Sequence, residues 1–280
     1  MPDTMQSTPE RVTLPQLDRT LSVRVEIGRY AVSRVSEALA NIRHDESDAQ
    51  IHALALYGTI TQLFSACILL TEWGEPTAIP ILLRSMYEAL VDLHNLLHGA
   101  SYVEHIQAAN LKQTLSIMKS GPLREFQDAR KADFEQFVTQ LAELHAKGKG
   151  PLRIRSRCER AGRLDQYESL YGLFCLDTHN NASALAERHI SKLPDGKVLI
   201  SLFGEYDVQS VARRLDWGLQ ILLEAGQMIH GAFRVPAPSL DEVAAMLDRE
   251  RTALQARSPA AAEEAGRAVV RGWSVGLNSP

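Results

Sequence analysis

The chain has 280 residues, 45% of them apolar and 23% charged, and a formal net charge of −4. That length can bury a substantial core, the composition is that of a globular rather than a disordered protein, and the slight acidity excludes a surface that binds nucleic acid over its whole area, though a local basic patch remains open. Three cysteines, Cys67, Cys158 and Cys175, stand far apart with no CxxC pair, which fits reduced thiols in the cytoplasm rather than a disulfide frame.

Residues 1–15 carry Pro2, Pro9 and Pro15 among polar residues, read as a disordered arm, and lack the apolar stretch of a secretory signal. From Leu17 to Arg43, Leu21, Val25, Val32, Val35, Leu39 and Ile42 recur at helical spacing. Ser47 is placed to cap a second helix running through Ile60, Phe64 and Ile68 to Trp73, with Gly74 as its stop. Pro76 and Pro80 suit the opening of a third helix, where a missing N–H does no harm, and Gly99 ends it. Ser101 and Glu104 form a capping-box pattern for a fourth helix, ending near Gly121.

A charged fifth helix is expected from Pro122 to Lys147, broken by Gly148-Lys149-Gly150-Pro151. A basic connector follows, then an aromatic-rich helix from Asp165 to Asn180 and a short one near Ser183. Pro194-Asp195-Gly196 reads as a turn, with Val198–Leu202 forming half of a strand pair. Asp207 caps a long helix to Phe233, and Ser239 with Glu242 caps one more. The apolar stretches are all interrupted by polar residues or proline, so none is expected to cross a bilayer. The sum is an all-α helical bundle of about seven to nine helices with at most one short β-hairpin. Residues 16–256 form the single helical domain and 257–280 a flexible tail.

The third helix is apolar nearly all round, the pattern of a buried helix. Yet Arg84, Glu88, Asp92 and Asn95 fall four, four and three residues apart and share one stripe. In a buried helix those charges must be paired, so Arg84 and Glu88 are expected to be largely buried, and Arg84→Met to cost about 3–5 kcal/mol if it leaves a carboxylate buried and unpaired. The competing reading makes the stripe a solvent face or a structural ion pair. On the aromatic helix Tyr167, Tyr171, Cys175 and Thr178 share a face, with His179 at its rim and Asn180-Asn181 as a C-terminal cap. His179 is either a partner for helix-end carbonyls or the chain's best proton-transfer candidate.

These two stretches, Leu82-Leu83-Arg84-Ser85-Met86-Tyr87-Glu88 and Tyr171 with Thr178-His179-Asn180-Asn181, resemble the bacterial family known as domain of unknown function 5677. Its members are helical proteins with an Arg-x-x-x-Glu helix and a later Tyr–His helix, and the likeness runs from about Leu54 to His189. The resemblance implies that Arg84, Glu88 and His179 belong to one site, and it brings no established activity. The bundle also invites comparison with HEPN ribonucleases, but no histidine here follows an arginine at their Arg-x(4–6)-His spacing.

Other chemistry finds little support. His94 and His98 stand four apart on one helix, but there is no HExxH or ExxH pattern, so neither a metal nor a cofactor is expected. Phosphate-cradling glycine loops and the GxSxG elbow are absent from the sequence. The strongest charge bias is the connector, where Lys147, Lys149, Arg153, Arg155, Arg157, Arg160 and Arg163 are opposed only by Glu159. It is either a phosphate- or RNA-binding patch or a solvated loop, and without interleaved aromatics the second is favoured.

Two function classes follow. The favoured one is a cytoplasmic binding or regulatory module whose polar interior site, built from Arg84, Glu88, Asp92, Tyr171 and His179, takes an anionic small ligand or a protein partner. The other is an RNA- or nucleotide-processing enzyme with His179 as acid/base, Arg84 as anion stabiliser, Glu88 beside them and the basic patch as substrate guide. Nucleic acid is the less favoured partner, a membrane is not expected, and a homo-oligomer is compatible with either class.

Overall fold

Asp18 opens the first helix, its carboxylate accepting a hydrogen bond from the Thr20 amide at 2.7 Å. That helix, α1 (Arg19–Asn41), buries Leu21, Val25, Gly28, Ala31 and Val35 at three- and four-residue intervals. The computed structural model describes residues 17–120, 130–178, 185–186, 189–192, 196–200, 206–235 and 238–257. The N-terminal arm, most of the C-terminal tail, the start of the charged fifth helix, residues 179–184 and the turn at Pro194-Asp195 lie outside those residues.

The core is made by four helices: α1, α2 (Asp48–Glu72), α3 (Ile79–Leu97) and the long α8 (Val208–Phe233), each packed against the other three or against two of them. At the end of α2, Gly74 takes φ +74° and donates to the Thr71 carbonyl, while Glu75 donates to Leu70, a left-handed stop that only glycine adopts without strain. Pro76–Ala78 forms a short 3₁₀ turn that delivers α3 back across the bundle. Helices pack closely around the ring of Phe64. A Cβ on Gly28 of α1 would lie 3.3 Å from that ring, and one on Gly218 of α8 would lie 2.8 Å from it. Across this core, Arg24 of α1 pairs with both carboxylate oxygens of Asp216 on α8.

By length and composition α2 is long and apolar enough to cross a membrane, with mean hydropathy 1.7 over its most apolar stretch. In the bundle it turns Ala53, Tyr57, Ile60, Phe64, Cys67 and Ile68 into the core. The interrupting threonines and tyrosine do not lower its average enough to fail that test, and the threonine hydroxyls are absorbed within the helix, as when Thr61 donates to the Tyr57 carbonyl.

Outside the core, α4 (Tyr102–Lys119) and α5 (Lys131–Ala146) pack on each other as a helical hairpin. The expected capping box at its start does not form. Ser101 is helical in backbone, and its hydroxyl accepts instead from Lys149 Nζ at 2.9 Å, with Glu104 3.7 Å from the same ammonium. The expected basic loop contains a helix, α6 (Ile154–Arg160), which packs on α3 and stops at Gly162 with φ +67°. Next comes α7, whose parts are Leu164–Gln166, a π-helical turn at Tyr167–Tyr171 and Gly172–Thr178. Strands β1 (Ile190–Lys192) and β2 (Val198–Ile200) make the one antiparallel hairpin among the described residues, with Ile190 opposite Ile200. Asp207 caps α8 through the amides of Gln209 and Ser210, and α9 (Pro238–Arg257) packs on α1 and α8. The described residues form an all-α bundle with that small hairpin.

Candidate functional site

The polar stripe of α3 faces α6 and α7. Glu88 is its centre. Its Oε1 accepts from Tyr171 Oη at 2.9 Å and from Arg84 Nε at 3.2 Å, while Arg84 Nε also reaches Tyr171 Oη at 3.1 Å. Its Oε2 accepts from Arg157 Nη2 at 3.1 Å. One turn on, Asp92 takes Arg157 Nη1 at 2.6 Å and the Tyr102 hydroxyl at 2.6 Å. Asn95, the stripe's last member, donates to the Arg157 carbonyl at 2.9 Å. Two guanidiniums thus face two carboxylates, and every carboxylate oxygen has a donor.

Burial grades along the stripe. Arg157 keeps 20% of its side chain exposed and Asp92 17%, whereas Arg84 keeps 31% and stands at the rim. Burial pushes the Asp92 carboxyl above its ordinary range, only partly offset by Arg157 and the Tyr102 hydroxyl. Burial and then the bond to Glu88 push the Tyr171 phenol upward, so it stays a neutral donor. The Arg84 guanidinium also lies 5.3 Å from the centre of the Tyr171 ring, which stacks at 5.3 Å on Tyr167.

The π turn sets this geometry. Gly172 N–H bonds back to the Tyr167 carbonyl five residues earlier, so one extra residue is held within the helix. Tyr171 is thereby buried against Tyr87 of α3 while Phe174 meets Trp217 of α8 edge-on. On α6 the same short helix sends Arg157 to the carboxylates, buries Cys158 beside the Tyr87 hydroxyl and lays Arg160 over the Tyr102 ring at 5.6 Å. The stop at Gly162 then swings Arg163 onto Glu224 of α8 and Gln166. Here His94 sits with its Nδ1 buried and unpartnered, and burial, Arg163 and His98 lower its pKa to about 4.

The profile of a family of unknown function (DUF5677) matches residues 50–198, just over half of the chain. The chain belongs to this family. No curated protein and no solved structure matches it. The family segment runs from α2 to β2 and contains every member of the polar network, Arg84, Glu88, Asp92, Asn95, Tyr102, Arg157 and Tyr171.

Within the family segment the structure brings Arg84, Glu88, Asp92 and Tyr171 together, while His179 lies outside the described residues. Arg84 and Glu88 are half-buried rather than largely buried, because the stripe faces a short helix instead of the core. The four arginines of the basic patch do not act together. Arg153, Arg155 and Arg160 are exposed, and Arg155 stands 4.0 Å from Glu168, but Arg157 turns inward. Arg157 and Tyr102 are the members that sequence reasoning missed. Neither carried a distinguishing signal: Arg157 is one of seven basic residues in the connector, and Tyr102 lies in a stretch where only a helix cap was legible. His94 and His98 stack their rings at 4.1 Å, His98 donating to the His94 carbonyl, and no group of three metal-ligating side chains exists among the described residues.

Proposed function

We propose that this protein is a binding or regulatory module, and that the Arg84 end of the α3–α6–α7 network receives an anionic group, a phosphate or carboxylate, from a small ligand or a partner protein. The observation that carries this reading is the contrast along the stripe. Glu88 and Asp92 have all four oxygens engaged by donors, which leaves neither carboxylate placed to take a substrate proton. Arg84 is held in one orientation by Glu88 and Tyr171 yet keeps the largest exposure among the network's charged side chains. A guanidinium fixed in advance loses little freedom when it meets an anion.

Melting curves of the full chain with inorganic phosphate, citrate and adenosine monophosphate at low salt test this reading. At least one anion is expected to raise the melting temperature of the wild type and to leave Arg84→Met unmoved, with mass spectrometry of the purified protein identifying any retained anion. No shift with any of the three, or RNA cleavage that disappears in His179→Ala, would overturn it.

A further inference from the structure

Between Asp48 and Glu72, at its two ends, α2 contains no Asp, Glu, Lys or Arg. The outward side of a core helix ordinarily carries charge. Beside it α1 exposes Glu26, Arg29 and Glu37. On α2 the outward residues are instead Ile51, Ala55, Gln62, Leu69 and Trp73, with Gly58 and Ala66 half-buried among them. Leu69 keeps 49% of its surface exposed and Trp73 63%. A charge-free, largely apolar face about six turns long is the mark of an interaction surface.

Ile51, Ala55, Gly58, Gln62, Ala66, Leu69 and Trp73 follow at four, three, four, four, three and four residues, so they share one stripe whose intervals read the same from either end. Turned end for end about Gln62, the stripe comes into register with itself. Ile51 stands level with Trp73, Ala55 with Leu69, Gly58 with Ala66, and Gln62 with its own copy. Bulk meets space in this pairing, because Ala55 leaves room for Leu69 and Gly58 lets two backbones approach beside Ala66. Nothing inside the chain asks for glycine at that place. A Cβ on Gly58 would meet no atom within 4 Å, whereas one on Gly218 would strike the Phe64 ring. Glycine in mid-helix is destabilising relative to alanine, so close approach by a second backbone gives it a purpose. The Gln62 amide, donor and acceptor at once, can pair with its own copy. A two-fold interface requires this self-complementarity, since the same patch serves both subunits.

We infer that the outward face of α2 is a homodimer interface, in which the α2 helices of two copies lie antiparallel about a two-fold axis at Gln62. Size agrees. The stripe is about 33 Å long, and with the shoulders of α1 and α3 packed on either side the face is about 20 Å wide. Its area of about 650 Å² falls within the roughly 600–1,000 Å² that each partner of a stable complex buries. A lipid surface fits less well, because Thr59 and Gln62 set polar groups at the middle of the face and no basic residue of α2 flanks it.

Sedimentation of the full chain across low to high micromolar concentrations tests it. A dimer is expected for the wild type. Gln62→Glu and Gln62→Lys each set like charges across the axis and should weaken it about tenfold or more. Their circular dichroism should not change, because the position is exposed. Mixed together, the two variants should dimerise, since each side chain at this position meets its counterpart. Gly58→Leu, whose added Cβ meets no atom of its own chain within 4 Å, should also leave a monomer. Under mild oxidation Gln62→Cys should crosslink two chains, whereas Glu135→Cys, exposed on α5, should not. A wild type that stays monomeric throughout, a dimer indifferent to Gln62→Glu, charge variants that fail to pair on mixing, or a monomer that floats with phosphatidylcholine vesicles would overturn the inference.

Discussion

Arg157 and Arg84 contact the same carboxylate from opposite sides and do different work. Arg157 is the more buried and bridges two acids, so removing its charge strands both Glu88 and Asp92 in a weakly solvated place. Arg157→Met is expected to destabilise by about 2–4 kcal/mol, just below the range for fully buried pairs. Arg84→Met should cost about 1 kcal/mol or less, because its partner lies one turn away on the same helix, solvent screens the pair, and Glu88 keeps Tyr171 and Arg157. Urea denaturation of the two variants at neutral pH checks the order; equal losses would mean that both arginines hold the fold alike. The cost read from sequence, about 3–5 kcal/mol at Arg84, applied if its loss left a carboxylate buried and unpaired; since Glu88 keeps Tyr171 and Arg157, the larger cost is expected at Arg157. Spacing along α3 identified the stripe but carried no information on which basic residue from elsewhere would dock onto it.

At the level of elements, the helices themselves were legible because their apolar residues keep a three- and four-residue rhythm and their ends carry glycine or proline. Gly74, Pro76, Pro80 and Asp207 sit where the sequence placed a stop, two openings and a cap. What was not legible is where neighbouring elements override local chemistry. Ser101 and Glu104 have the residues of a capping box, but Lys149, arriving from the far end of α5, recruits both. The π turn at Tyr167–Tyr171 leaves no mark in the apolar pattern, since it is defined by a backbone bond, Gly172 N–H to the Tyr167 carbonyl. Helix approach is similarly a tertiary property. The Phe64 ring fills the space that side chains on Gly28 and Gly218 would need. Gly218→Ala should therefore destabilise by about 1–3 kcal/mol despite alanine's better helix propensity, because an aromatic ring in a packed core has nowhere to retreat. Thermal melting of that single variant decides it, and a neutral or stabilising result would show that α8 can shift outward freely.

For the whole molecule, the family segment supplies the polar network and two of the four core helices, while α1 and α8, which complete the core, lie beyond residues 50–198. The network is thus built on a helix that packs on α2 inside the segment and on α8 outside it. Glu88 has a further consequence through its two oxygens. It is a shared counter-ion, one side committed to the rim arginine and the other to the arginine that pins α6. If the rim takes an anion as proposed, drawing Arg84 toward it would release negative charge on Glu88 to Arg157, so that occupancy of the rim and attachment of α6 would be reciprocal quantities, each favouring the other by the same free energy. Hydrogen exchange would register that coupling as slower amide exchange in Ile154–Arg160 when phosphate is present, and Glu88→Gln, which keeps the shape and removes the shared charge, should cut the effect while leaving Arg84 in place.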